Sequence, residues 1–136
     1  MKKALFILIL AAGVVSCRKD SSKPFTVQSG VVRALITVQH HGIPIPYARV
    51  FVKQGTLIFP GTDTTLYDLR LQADAEGQVI YTGIPDGQQA YTFYGKGVDP
   101  NWDSTHVTPV WGYQFLITDT QPLENKDYPV SLPVSE

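Results

Sequence analysis

The sequence predicts an all-β fold, a sandwich in which two antiparallel sheets face each other. Three observations lead to this prediction. Apolar and polar residues alternate in short segments, which is typical of strands with one buried face. No segment beyond residue 30 carries the apolar period of a helix. Eleven glycines and ten prolines separate the segments, as expected for a chain with many turns.

The first four predicted strands follow one another along the chain from residue 32. Apolar residues occupy every second position in Val32–Val38, and the same alternation continues in Ala48–Lys53 and Tyr67–Gln72. A long connection rich in Gly, Pro and Thr, Gly55–Thr65, separates the second strand from the third. The turn "DAEG" precedes a short fourth strand, Val79–Thr82, and its Asp and Gly predict a hairpin-type turn.

Three more strands complete the predicted sandwich. Ala90–Tyr94 follows the turn "IPDGQQ", Val110–Thr118 alternates bulky apolar residues, and Tyr128–Val134 contains two prolines that place it at a sheet edge. Four residues share one face of the sixth strand and are expected to form the core between the sheets: Trp111, Tyr113, Phe115 and Ile117. Seven strands in the 106 residues from Val31 to Glu136 are typical of an immunoglobulin-like sandwich.

The amino-terminal residues have the layout of an export signal. Lys2 and Lys3 precede an apolar run, Ala4–Val15, which is shorter than a bilayer-spanning helix. The run ends in "VVSC", and this motif with Cys17 resembles the lipobox of bacterial lipoproteins. A simple secretory signal followed by a coincidental Cys, or a buried free thiol, is the alternative interpretation.

The lipobox resemblance implies a location and a modification. Residues 1–16 would be removed as a lipoprotein signal peptide, and Cys17 would carry a diacylglyceryl thioether and an acyl chain, such as palmitate, on its new amino group. The expected location is the cell envelope, at the outer membrane of a Gram-negative bacterium. The membrane would then be a partner through the lipid on Cys17, because several acyl chains anchor stably where one is marginal.

The remaining chain is predicted to have two parts. Residues 17–30 are polar, rich in Ser and interrupted by Pro, so they form a flexible tether, and residues 31–136 form one domain. From Val27 onward there are six basic and eleven acidic residues. This balance argues against nucleic acid as a partner, since phosphate binding depends on clustered Lys and Arg. With Cys17 as the only cysteine, no intramolecular disulfide can form.

Two segments carry a family resemblance. "GIPIPYARVFV" (Gly42–Val52) resembles the opening motif of carboxypeptidase regulatory-like domains, a transthyretin-like branch of the sandwich folds, and "ADAEGQVIYTGIPDGQQAYTF" (Ala73–Phe93) resembles a downstream motif of the same family. The matching positions in the second segment are Asp74, Gly77, Val79, Tyr81, Ile84, Gly87 and Tyr91. The resemblance implies a transthyretin-like sandwich without chemistry of its own, serving as a spacer, adaptor or stability module.

The candidate contact surface is the predicted loop Val98–Pro109. Its candidate binding residues are Asp99, Asn101, Trp102, Asp103 and His106. Trp102 lies among acids and amides, where an indole ring can anchor a sugar ring or a partner protein, or can fold back to cap the sandwich. The expected partner is therefore an envelope protein or a glycan.

A catalytic interpretation finds little support in the sequence. No G-x-S-x-G motif occurs, and the lone thiol is assigned to lipid attachment. We therefore expect no enzyme activity and no cofactor, but a binding or scaffolding role. The alternative is a small metal-binding protein or metal-dependent enzyme that uses His40, His41, His106 and the segment Asp99–Asp103, where oxygen ligands occupy alternate positions.

Overall fold

The computed structural model describes residues 32–84, 88–100, 108–118 and 125–136, so residues 1–31, which include Cys17 and the tether, lie outside the described residues. The described part is all-β, as predicted, with eight strands. They are β1 (Val32–His40), β2 (Ile43–Pro44), β3 (Arg49–Gln54), β4 (Leu69–Gln72), β5 (Gln78–Tyr81), β6 (Gln89–Val98), β7 (Pro109–Thr118) and β8 (Lys126–Pro133). No helix long and apolar enough to cross a membrane occurs within these ranges.

The strands form the two sheets of a sandwich, which confirms the predicted architecture. In the first sheet, β1 pairs antiparallel with β2 and β5 and parallel with β8. In the second sheet, the order is β4-β3-β6-β7, and every pairing is antiparallel. The expectation of antiparallel pairing throughout is wrong at one place, because Val32 lies opposite Lys126 and Gln39 opposite Pro133 in a parallel register.

Two further features differ from the sequence prediction. The segment "HGIPIP", which lies between the first two predicted strands, contains the two-residue strand β2. The turn after β4 forms as expected, with Gly77 at φ +71° and its N–H donating to the Asp74 carbonyl at 3.1 Å. It is not a hairpin, however, since β4 belongs to the second sheet and β5 to the first. The turn carries the chain from one sheet to the other.

The core lies between the sheets and follows the alternation that the sequence shows. Every second residue of β1 is buried, and Val50 and Val52 of β3 face it from the second sheet together with Tyr91 and Phe93 of β6. Each such side chain contributes about 1.5–3 kcal/mol when it leaves water. The predicted inward positions of β1 and β3 are confirmed.

The aromatic face of β7 lies outside this core, so the sequence prediction for it is wrong. The side chains of Trp111, Tyr113, Phe115 and Ile117 are between 38% and 50% exposed. The opposite face of the strand is the buried one, with Val110 almost fully enclosed and Leu116 packed against the core. The opposite face also carries Gly112, Gln114 and Thr118, so the more apolar face of this strand is the outer one and the alternation predicts the wrong inner face.

The long connection after β3 covers part of this outer face. The hydroxyl of Thr92 donates to the carbonyl of Thr56 at 2.9 Å and holds the start of the connection on β6. Further along, the ring of Phe59 stacks on Tyr113 with centroids 4.3 Å apart, and Tyr67 stacks on Tyr94 at 5.6 Å. The second sheet therefore carries a second aromatic layer on its outer side, and the β7 residues of this face stay partly exposed.

The carboxyl-terminal residues join the sheets. After β8, the N–H of Val134 donates to the carbonyl of Gln39 in the first sheet at 2.9 Å. The next residue, Ser135, exchanges two backbone hydrogen bonds of 2.9 Å with Trp111 in the second sheet. The backbone of β7 at Trp111 is thus paired on both of its edges, with Lys96 of β6 on one side and Ser135 on the other.

Candidate binding site

A cleft of about 510 Å³ lies on the outer side of the second sheet, at the end where residues 99–108 connect β6 to β7. Among its lining residues are three aromatic residues and two cations: Tyr47, Tyr94, Trp111, Arg49 and Lys96. We refer to the site formed by these five residues as the aromatic–basic cleft. Val98 and Pro109, the two ends of the predicted contact loop, also line it.

Strand register builds the floor of the cleft. Arg49 of β3 lies directly opposite Lys96 of β6, and Lys96 lies directly opposite Trp111 of β7. Side chains paired in this way have Cβ atoms about 4.5–5.5 Å apart and point to the same face of the sheet. Three residues that are far apart in the chain therefore form one continuous row across three strands.

Tyr47 forms a wall of the cleft and has an unusual backbone conformation. Its φ is +55°, in the left-handed region, and its side chain is 62% exposed. The neighbouring residues Ile45 and Ala48 are fully buried, and the N–H of Tyr47 donates to the Asp74 carbonyl at 2.9 Å. These contacts hold a conformation that costs a residue with a Cβ roughly 1–2 kcal/mol. The strain is retained at a position where an aromatic ring projects beside the cleft.

The charge within the cleft is positive. Lys96 Nζ lies 5.3 Å from the centroid of the Phe51 ring, a cation–π contact that positions its ammonium group. Neither Arg49 nor Lys96 forms an ion pair within the described part of the chain, and no carboxylate lines the cleft there. The nearby cation Lys53 differs, because its Nζ is 2.9 Å from the carboxylate of Asp68.

The nearby Asp74 directs its carboxylate into its own turn. Its Oδ1 accepts hydrogen bonds from the backbone N–H groups of Glu76 at 3.0 Å and Gln78 at 2.8 Å. The carboxylate is thereby engaged by the backbone and does not line the cleft. The positive charge of Arg49 and Lys96 therefore stands without a compensating acid among the described lining residues.

The groups in the cleft are suited to binding. Burial raises the pKa of the Tyr94 phenol above its usual range, so this phenol stays neutral at physiological pH and can donate or accept a hydrogen bond. The lining residues named above supply a guanidinium, an ammonium, two phenols and an indole. None of these forms a nucleophile and base pair of the kind that covalent catalysis uses.

Of the five predicted binding residues, Asp99 alone falls within the described residues. Asp99 follows β6, and its Oδ2 is 2.7 Å from Nδ1 of His40. The two side chains are 9% and 8% exposed, so the pair closes the end of the sandwich between β1 and β6 instead of lining the cleft. Asn101, Trp102, Asp103 and His106 fall in residues 101–107, outside the described residues.

Only some of the residues of the alternative metal site lie within the described part of the chain. The rings of His40 and His41 are adjacent, with centroids 4.2 Å apart, and His40 contacts Asp99. No group of three or more His, Cys, Asp or Glu side chains suited to a metal occurs within the ranges that the structure describes. The other proposed ligands, His106 and Asp103, lie outside those ranges.

Sequence reasoning missed the five residues of the aromatic–basic cleft. The aromatic alternation around Trp111 is visible in the sequence, but it predicts a core face instead of a binding surface. No local pattern connects Arg49, Lys96 and Trp111, since only the pairing of β3, β6 and β7 brings them together. A usable signal was the position of Tyr47 between two prolines and a small residue in "PIPYAR", a bulky aromatic where the chain must turn.

No protein-family model matches the chain, and no curated protein sequence is significantly similar to it. The function of the site is therefore inferred from its own residues and their geometry.

Proposed function

We propose that the protein is a noncatalytic binding module of the bacterial cell envelope, anchored by lipid on Cys17, with the aromatic–basic cleft as its contact surface. The observation that carries this proposal is the cleft itself. Its volume of about 510 Å³ falls within the range of about 300–1,000 Å³ typical of small-molecule sites. It combines half-exposed aromatic rings with two cations that have no described acidic partner.

The residue types in the cleft support binding. Trp, Tyr and Arg are enriched among residues that dominate binding energy, because they offer large rigid contact areas and directional hydrogen bonds. Trp111 is 42% exposed and Tyr47 is 62% exposed, although the apolar parts of both rings gain from leaving water. Exposed rings grouped around two cations are more typical of a ligand site than of scattered surface residues.

The anchor rests on the amino-terminal sequence. The motif "VVSC" supplies Cys17, and the 14 residues 17–30 supply the tether. A flexible chain of this length has an average end-to-end distance of roughly 20 Å. The domain would therefore stand clear of the lipid headgroups while remaining confined to the envelope.

The family resemblance of the sequence extends the proposal to the kind of sandwich. We infer an immunoglobulin-like sandwich of the transthyretin-like, carboxypeptidase regulatory-like kind, in which β2 is a short addition to seven longer strands. The motif "GIPIPYARVFV" supports this, since its prolines lead into β3 and its Ala48 is fully buried where the sheets meet. Modules of this kind act through contacts, which agrees with a cleft that lacks a catalytic pair.

Site-specific photo-crosslinking tests the contact surface. A benzophenone amino acid replaces Tyr47 in the full-length chain, in cells, and a matched control replaces Ile80, a 56% exposed residue on β5 of the other sheet. We expect a discrete crosslinked species from position 47 that is absent from position 80. Identical crosslinking patterns from the two positions would contradict the assignment of the cleft as the contact surface.

Mass spectrometry tests the anchor independently of the cleft. The mature protein should begin at Cys17 and carry the added mass of a diacylglyceryl group and an acyl chain, and Cys17→Ala should abolish both the cleavage and the added mass. An unlipidated mature chain that begins elsewhere would refute the anchor and leave the binding proposal standing.

A further inference from the structure

We infer that the aromatic–basic cleft binds a saccharide chain that carries carboxylate groups. This inference rests on the proposed function, because it names the ligand class of the same cleft. It follows from the charge of the cleft floor, from the exposed rings around that floor, and from the backbone pairing at its edge.

The positive charge of the cleft floor favours an anionic ligand. Arg49 and Lys96 lie directly opposite each other on β3 and β6, and like charges in that position destabilise a sheet. No carboxylate among the described lining residues compensates them, although the domain as a whole is acidic. A carboxylate bound between them would remove the repulsion, and the planar fork of Arg49 fits a carboxylate with two parallel hydrogen bonds.

The aromatic rings of the cleft indicate the chemistry of the uncharged part of the ligand. Trp111 continues the row beyond Lys96, and Tyr47, two residues before Arg49 in the chain, also lines the cleft. Both rings expose apolar surface beside polar edges, which suits a pyranose ring, since it has C–H groups on one face and hydroxyl groups around its rim. Such a ring packs on the indole while its carboxylate reaches the two cations.

The backbone pairing at Trp111 argues against an extended peptide as the ligand of the cleft. A peptide that binds beside a strand gains most of its affinity from main-chain hydrogen bonds to a free edge. At the cleft, the backbone of Trp111 already exchanges both of its edge hydrogen bonds with Ser135 at 2.9 Å. A ligand that binds through ring faces and side-chain charges needs no free edge, and a saccharide is such a ligand.

Nucleic acid, another anionic polymer, fits the aromatic–basic cleft less well. Nucleic acid carries one charge per phosphate and is bound by extended basic surfaces, whereas the domain has six basic residues against eleven acidic ones. Two of those six, Arg33 and Lys53, are already paired with Asp127 and Asp68. The two cations of the cleft match one or two carboxylates on a short stretch of chain.

The test compares an anionic saccharide with its neutral methyl ester. The full-length chain is titrated by calorimetry with an oligogalacturonide, whose sugar units carry free carboxylates, and with the methyl ester of the same oligosaccharide. We expect the acid form to bind at least tenfold more tightly, because charge-assisted hydrogen bonds are about twice as strong as neutral ones. Raising the salt concentration should narrow this difference, since the contacts are partly open to solvent.

Paired variants locate the binding to the cleft. Arg49→Gln and Lys96→Gln should each weaken binding of the acid form about tenfold or more, whereas Arg70→Gln, an exposed cation on the same sheet but outside the cleft, should not. Trp111→Ala should weaken binding of both saccharides, while Ile117→Ala, on the same face of β7, should not. Circular dichroism confirms that each variant is folded.

The outcomes separate this inference from the proposed function. Equal affinity for the acid and the ester, or no effect of Arg49→Gln and Lys96→Gln, would overturn the assignment of an acidic ligand. Tighter binding of oligoglutamate than of the oligogalacturonide would overturn the assignment of a saccharide. If neither saccharide binds while position 47 still yields its crosslink, the saccharide inference fails and the contact surface stands.

Discussion

Because the backbone of Tyr47 is left-handed, we expect the usual order of stability between Ala and Gly variants to be reversed at this position. At most exposed positions Ala is at least as stabilising as Gly, because Gly loses more backbone freedom on folding. At position 47 we expect Tyr47→Gly to be more stable than Tyr47→Ala. Both variants lose the same phenol ring and its contacts, so the difference between them reports the backbone alone.

The magnitude follows from two opposing terms. Ala at φ +55° keeps the strain of a left-handed residue, roughly 1–2 kcal/mol, which Gly does not have. Gly costs about 0.5–1 kcal/mol through the greater freedom of its unfolded chain. The balance favours Gly by about 0.5–1 kcal/mol, and 1 kcal/mol corresponds to a change in Tm of about 4–8 °C in a domain of this size.

Urea denaturation and thermal melting of the two variants measure this difference. The matched control compares Ile80→Ala with Ile80→Gly, because Ile80 is an exposed strand residue that does not have a positive φ. At this position the Ala variant should be the more stable of the two. Both Tyr47 variants should also lose affinity for the ligand to the same extent, since each lacks the ring. A Tyr47→Ala variant as stable as Tyr47→Gly would refute the claim that the cleft stores backbone strain.

Two further predictions concern the scaffold. Gly112→Ala should destabilise the fold by about 1–3 kcal/mol in urea denaturation, because the added Cβ would overlap the carbonyl oxygen of Pro133, while Gln114→Ala on the same strand should change little. Hydrogen bonds from the backbone N–H of Gln54 and from the Lys53 ammonium hold the pKa of Asp68 below its usual range. The stabilisation from Asp68 is therefore present above about pH 4 and is lost as the pH falls through the lowered pKa. Asp68→Asn should therefore lower the free energy of unfolding at pH 7 and have little effect near pH 2; an equal effect at both would contradict this assignment.

The strands with one apolar face were predictable from the sequence. In β1, small and branched apolar residues alternate with polar ones, so the sequence contains the information about which face is buried. In β7, the set that contains Trp111 and Phe115 is the more apolar one, so the alternation favours it as the inner face, yet the set with Val110 and Leu116 is the one that packs against the core. The structure places the smaller residues inside and the aromatic ones outside, a choice that depends on the space between the sheets.

Pairing direction and the cleft could not be predicted in the same way. Alternation looks the same whether a strand runs parallel or antiparallel to its neighbour, so it carried no sign that β8 is parallel to β1. The row of Arg49, Lys96 and Trp111 depends on the register of three strands, which a single residue of slip would change. The left-handed conformation of Tyr47 is a response to its fully buried neighbours, and these are known only once the sheets have been assembled.

The direction of β1 determines how the cleft would be presented to its surroundings. β1 begins at Val32, directly after the residues predicted as the tether, whereas His40 at its other end contacts Asp99 beside the cleft. Nine residues of strand separate the two ends by roughly 26 Å. In a protein anchored at Cys17, the point of attachment and the cleft therefore lie at opposite poles of the sandwich. The cleft would therefore lie at the end of the domain that is remote from the lipid attachment.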